Sequence, residues 1–205
     1  MNDQRARLEQ SLIQAAQRGD VRAFNQLVET YQDSAYRTAY RILNDAEAAA
    51  DATQETFIAA YRHLKEFRGG SFKAWVLRIV TNACYDLLRA QQRRHTDSIE
   101  DLLPVSDDAH EPPTLISPHE SMEDRVIRAE LHHLLQRAIA ALPDDQRIVV
   151  VLSDVEGLSY EEIAIATQTN LGTVKSRLNR GRGRVRDWLL AQQELLPIAY
   201  RLKRE

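Results

Sequence analysis

Proline divides this chain into parts before any other residue type does. Four of the six prolines (Pro104, Pro112, Pro113, Pro118) fall in one stretch, roughly His95 to Met122. Proline fixes φ and removes a backbone donor, so no helix or central strand runs through such a cluster. Residues 96–122 also hold seven acids (Asp97, Glu100, Asp101, Asp107, Asp108, Glu111, Glu120) and no Lys or Arg. Like charges repel, and there is little apolar periodicity to bury. The sequence therefore predicts two folded domains, 1–95 and 123–205, joined by an acidic linker, 96–122. Elsewhere glycine and proline are scarce, with 7 glycines in 205 residues. Ala, Leu, Arg, Glu and Gln are abundant instead, which suits long helices rather than many short strands. The expected fold class is all-α, with a helix-turn-helix in the C-terminal domain.

The net charge of -3 conceals how the charges are distributed. Residues 1–95 carry 14 Lys/Arg against 11 Asp/Glu, and residues 123–205 carry 13 against 12. Within the latter, 171–186 holds Lys175, Arg177, Arg180, Arg182, Arg184 and Arg186 without an acid. Such a segment is a candidate surface for a polyanion. The single cysteine, Cys84, excludes an internal disulfide and a cysteine-based zinc site. No apolar run approaches the roughly 18 residues of a membrane span, and the polar N-terminus does not read as a signal peptide, so a cytoplasmic protein is expected. Enzyme chemistry has little support. There is no glycine-rich phosphate loop and no metal-ligand cluster, and the adjacent His132 and His133 cannot face one ion from a helix. No cofactor, metal or small-molecule substrate is expected.

In the N-terminal part, Asp20 can cap a helix whose apolar positions Phe24, Leu27, Val28, Tyr31, Ala35, Ala39, Ile42 and Leu43 keep helical spacing until Asn44-Asp45. A second helix is predicted from Ala46 to Phe67, with Phe57, Tyr61 and Leu64 buried. Another face of it carries Asp51, Gln54, Glu55, Ile58 and Arg62. That row reads either as a plain solvated face or as a protein-binding one, Ile58 favouring the second. After Arg68-Gly69-Gly70, Ser71 can cap a third helix with the stripe Phe72, Trp75, Val76, Ile79, Val80, Ala83 and Leu87. On its flank lie Arg78, Asn82, Tyr85 and Arg89. Cations for phosphate, an amide for a base edge and a ring for stacking suit a nucleic-acid strand.

The C-terminal part opens with a helix from Glu123 along Val126, Ile127, Leu131, Leu134, Leu135, Ala138, Ile139 and Leu142. Asp144 is expected to cap the next, carrying Val149, Val150, Leu152 and Val155 up to Gly157. Ser159 and Glu162 form a capping box for a short helix, with Ile163 in the core and small Ala164 allowing a close crossing. Asn170 can cap a longer helix with Val174, Leu178 and Val185 inside. A short turn between two such helices reads as helix-turn-helix. Thr173, Lys175, Ser176, Asn179 and Arg180 lie opposite or beside the buried stripe, where major-groove readout needs side chains of this kind.

These residues carry a resemblance. RGDVRAFNQLVETYQ, DATQETFIAAYRHLKEFRG, WVLRIVTNACYDLLR and GLSYEEIA…GTVKSRLNRGR occur in the order of the extracytoplasmic-function (ECF) sigma factors, a small two-domain group of the sigma-70 family. The chain resembles that family over about residues 11–191. The resemblance implies sigma domain 2 before the linker and sigma domain 4 after it. It implies a non-enzymatic factor that brings core RNA polymerase to promoters, with the β′ clamp, the β flap and promoter DNA as partners and an anti-sigma factor as regulator. By the same resemblance Asp51, Gln54, Glu55, Ile58 and Arg62 dock on the β′ clamp coiled coil. Arg78, Asn82 and the loop 68–74 read the -10 element, and Thr173, Lys175, Ser176, Asn179 and Arg180 read the -35 element. From Phe67 to Trp75 the chain is shorter than the family's usual loop, so that loop's base-by-base contacts are not carried over. The tail 192–205 matches nothing in the pattern.

A second reading is a DNA-binding regulator that never joins polymerase, since this type of helix-turn-helix recurs in response regulators. It leaves the 51–62 face and the whole first domain unexplained.

Overall fold

The computed structural model describes residues 2–97, 122–192 and 194–195, and every regular element among them is helical. The chain divides into two compact units, one built on residues 1–99 and one on 100–205, the four residues Ile165–Gln168 being grouped with the first. Most of the predicted linker and tail lie outside the described residues.

The first unit has four helices, α1 (Asn2–Gln17), α2 (Val21–Leu43), α3 (Ala46–His63) and α4 (Phe72–Asp97). Asp20 caps α2, its Oδ1 accepting the N–H groups of Arg22 (2.9 Å) and Ala23 (3.2 Å). At the other end Asn44 turns left-handed (φ 54°) and donates its N–H to Tyr40 O at 2.8 Å. The very next residue, Asp45, caps α3 by accepting Ala48 N–H at 2.8 Å. Adjacent C- and N-caps reverse the chain within two residues, and α3 packs back on α2.

The inner face of α3 differs from the predicted one. Ala49, Ala52, Thr56 and Ala60 are buried, whereas Tyr61 is 47% exposed and Phe57 half-buried. Small side chains let the backbones of α2 and α4 approach α3 closely, which large rings would prevent. Leu64 is buried as predicted, but in a short 3-10 turn (Leu64–Glu66) rather than in α3. The buried hydroxyls of Thr38, Thr56 and Thr81 each donate to the carbonyl four residues back, at 2.7–2.8 Å, so none is left unsatisfied.

Ser71 caps α4, its Oγ accepting Ala74 N–H at 3.1 Å. The buried stripe of α4 is Phe72, Val76, Leu77, Val80, Thr81, Cys84 and Leu88. Trp75, Ile79, Ala83 and Leu87, predicted inside, are only half-buried. The wheel is rotated because α4 is pressed on by both α2 and α3, which widens and shifts its covered arc. Trp75 packs with Phe67 and Phe72 at centroid distances of 5.4 Å. Ahead of Asp20, α1 buries Ile13 and Ala16. Gln17 fixes its end by donating to the carbonyls of Leu64 and Phe67, both at 3.0 Å.

The second unit holds α5 (Met122–Ala140), α6 (Asp144–Val150), α7 (Tyr160–Ala166) and α8 (Leu171–Ala191), with a π turn (Val151–Val155) prolonging α6. Only the C-terminal half of the α5 stripe is deeply buried, at Leu134, Ala138 and Ile139, with Leu142 just beyond the helix, while Val126 is 56% exposed. Asp144 does not cap α6: Pro143 occupies that position, and Asp144 stands in the first turn 3.3 Å from Arg147. Arg147 donates to the carbonyls of Ala140 and Leu142, both at 2.9 Å, closing the end of α5. In the π turn Glu156 N–H reaches Val151 O at 3.0 Å. The additional residue per turn breaks the 3.6-residue phase, so Val155, predicted inside, is 40% exposed.

The capping box forms as predicted, Ser159 N–H donating to Glu162 Oε2 at 2.9 Å and Glu162 N–H to Ser159 Oγ at 3.2 Å. Ile163 is fully buried, while Ala164 and Val185 are only partly covered. No described helix is long and apolar enough to cross a membrane.

Candidate functional site

Helix α8 is built outward from its cap. Asn170 stays extended (φ −87°, ψ 159°) and its Oδ1 accepts Thr173 N–H at 2.8 Å. Val174 and Leu178 are buried. One turn on, Gly181 makes a contact the apolar pattern does not reveal: a Cβ there would lie 2.7 Å from Val150 Cγ2. With these residues facing inward, Lys175, Ser176, Asn179 and Arg180 are exposed on the other side and Thr173 is half-buried at their edge. Ser176 Oγ donates to Thr173 O at 3.0 Å, and Arg180 lies back along the helix with Nη2 3.3 Å from Ser176 Oγ. The predicted row therefore forms one continuous polar surface on an N-capped helix.

Composition overstates the free charge on α8. Arg177 pairs with Asp145 at 3.0 Å, Arg182 with Asp154 and Arg186 with Asp187 at 2.9 Å. A hydrogen bond to Asp154 pushes the pKa of Arg182 further up, so its charge is committed to that pair. Lys175, Arg180 and Arg184 have no ion pair among the described residues, and the first two belong to the predicted reading row.

On α4, Arg78 and Arg89 are exposed while Asn82 and Tyr85 between them are half-buried. The four lie along one flank. The Arg89 guanidinium sits 5.8 Å from the Tyr85 ring centroid and 3.9 Å from Asp86 Oδ1, so one face of the tyrosine is already stacked. A base stacking on Tyr85 would have to use its other face or displace Arg89.

On α3, Asp51, Gln54, Glu55, Ile58 and Arg62 are all exposed, Ile58 to 44%. Asp51, Glu55 and Arg62 join no ion pair among the described residues, so the fold does not use their charges. Beside them runs an open groove of about 800 Å³ between α2 and α3, lined by Val21, Phe24, Val28, Tyr36, Phe57 and Ile58 among others. Phe24 and Tyr61, both in its lining, pack edge-on with ring centroids 5.0 Å apart. The sequence pattern did not reveal this groove, because it depends on Phe57 and Tyr61 turning away from the core. No cluster of potential metal ligands occurs among the described residues.

Two family profiles match, Sigma-70 region 2 over residues 27–94 and Sigma-70 region 4 over 132–185. The RNA polymerase sigma-H factor of Pseudomonas aeruginosa is 40% identical over 175 residues, covering 85% of this chain and 90% of that protein. The chain belongs to the ECF sigma factors of the sigma-70 family. The ECF RNA polymerase sigma factor SigE of Mycolicibacterium smegmatis is 37% identical to it over 170 residues, 82% of this chain and 62% of that longer protein. Among solved structures, the Bartonella quintana sigma factor RpoE in complex with the anti-sigma factor NepR superimposes with a TM-score of 0.61 and 26% identity, over 82% of this chain and 98% of that one. In this sigma factor the α3 face and the α4 row fall inside the region 2 match, and the α8 row inside the region 4 match.

Proposed function

We propose that this sigma factor recruits core RNA polymerase to promoters through three separate surfaces. The α3 face (Asp51, Gln54, Glu55, Ile58, Arg62) docks on the β′ clamp, with the apolar groove beside it adding contact area. An exposed apolar patch rimmed by polar residues is the usual mark of a protein interface. The α4 flank (Arg78, Asn82, Tyr85, Arg89) takes the -10 strand once the duplex opens. The α8 row (Thr173, Lys175, Ser176, Asn179, Arg180) reads the -35 element in the major groove, as the second helix of a helix-turn-helix does. Residues 1–95 and 123–205 act as sigma domains 2 and 4, the second also meeting the β flap, with 96–122 as the tether. The protein works in the cytoplasm, and an anti-sigma factor holds it in reserve, as NepR is bound to the Bartonella relative.

The observation that carries this reading is the exposed, acid-free row of α8 on a capped helix whose other cations are mostly paired. Run-off transcription with purified core polymerase tests it. The full chain should support initiation on a matched promoter and lose it when the -35 bases are scrambled. Specific DNA binding by the free chain with no association to core would instead favour a regulator independent of polymerase.

A further inference from the structure

Three contacts, among others, tie helix α8 to α6 and the π turn. Arg177 Nε lies 3.0 Å from Asp145 Oδ2, Gly181 rests against Val150, and the Arg182 guanidinium engages both carboxylate oxygens of Asp154, Nε to Oδ2 at 2.9 Å. The first and last of these are about 7.5 Å apart along the helix axis at 1.5 Å per residue. A glycine against a methyl group permits close approach but leaves rotation free. A two-pronged guanidinium–carboxylate pair does not, because its donors lie in one plane and point in fixed directions.

The Asp154–Arg182 pair is difficult to explain as a stability device. Arg182 is 50% exposed and Asp154 35%, and pairs in that setting contribute little to folding. Its placement is more informative. Asp154 is carried by the π turn Val151–Val155, a departure from regular helix. Tyr160, the first residue of α7, also interacts electrostatically with Arg182. One guanidinium thus ties α8 to the π turn.

We infer that Asp154 is a positioning residue for promoter reading: presented by the π turn, it holds Arg182 and so fixes the rotation of α8 on which discrimination between -35 sequences depends. This rests on the reading of α8 as the -35 reader. The geometric leverage is large. A rotation of about 20° moves a side-chain tip about 5 Å from the axis by about 2 Å, several times the spread of normal hydrogen-bond lengths. The pair has a second effect, because Asp154 cancels a cation that would otherwise be available to any phosphate.

The two effects give Asp154→Asn an unusual signature. Holoenzyme made with the full chain is titrated against a matched promoter and one with a scrambled -35 element over a salt series, and the melting temperature of the free chain is recorded. The ratio of the two affinities should fall about tenfold, on the scale of one lost bidentate base contact. Affinity for the scrambled promoter at low salt should rise, and the logarithmic salt slope should steepen by about one as Arg182 becomes free to meet a phosphate. Asp154→Glu should restore much of the ratio. Parallel weakening on both promoters with a lowered melting temperature would reduce Asp154 to a structural residue and overturn the inference. Arg180→Ala serves as the control: if it removes discrimination while Asp154→Asn leaves it intact, the positioning role fails and the -35 reading stands. If neither variant changes the ratio, both fail.

Discussion

Arg180 and Arg182 stand two residues apart on α8, and their surroundings decide what each can do. Among the described residues Arg180 hydrogen-bonds only within its own helix, to Ser176, and can swing outward to a guanine edge without leaving an acid unpaired. Lys175 is exposed on the same side. Replacing either with Ala should weaken holoenzyme binding to a matched -35 element by roughly 1–3 kcal/mol, with less effect on a scrambled one. Equal losses on both would mark a phosphate contact only. Cys84 shows the opposite extreme of environment. It is fully buried on α4, and burial pushes its thiol up to about 12. The native state therefore keeps its proton at pH values where the unfolded chain releases it. This contribution to stability is intact below about pH 9 and is lost as the pH rises toward 12. Native protein at neutral pH should accordingly react with an alkylating reagent at Cys84 far more slowly than denatured protein, as mass spectrometry of a timed quench would measure.

Among the helices, what the sequence reveals and what it hides differ in physical origin. The caps at Asp20, Asp45, Ser71, Ser159 and Asn170 involve side chains bonding to the backbone two or three residues away, so local sequence contains all the information they need. Packing faces depend on neighbours. The inner edge of α3 is made of alanines because α2 and α4 both press on it, and the same crowding rotates the α4 stripe to Leu77, Thr81 and Cys84. The π turn and Gly181 were hidden for the same reason, and with them the seat of α8. The polar row of α8 was legible because it is what remains once Val174 and Leu178 point inward. Gly181 and Gly183 make this testable. Alanine at 183 meets nothing within 4 Å and should stabilise the free chain by up to about 1 kcal/mol through helix propensity. Alanine at 181 meets the stiff, buried Val150 at 2.7 Å, and overpacking should cost about 1–3 kcal/mol, outweighing the propensity gain. Thermal melts of the two variants should move in opposite directions.

At the scale of the whole molecule, the proposed core-binding face on α3 and the proposed -35 row on α8 lie in different units, so the two roles should be separable by mutation. Changing both Asp51 and Glu55 to Lys should abolish association with core polymerase. It should leave circular dichroism and melting temperature nearly unchanged, since exposed substitutions usually move stability within about ±0.5 kcal/mol. Unaltered core affinity would remove this face from the interface. The separation is visible within α3 itself. Ala49, Ala52, Thr56 and Ala60 hold it in place by nearness of backbone, while Phe57, Ile58 and Tyr61 are turned toward the groove. An element anchored in that way makes few demands on the bulk it shows to the outside. Drift on the outer face can therefore change which protein is recognised without bringing the fold nearer its stability threshold, and one scaffold can acquire new partners while its packing stays as it was.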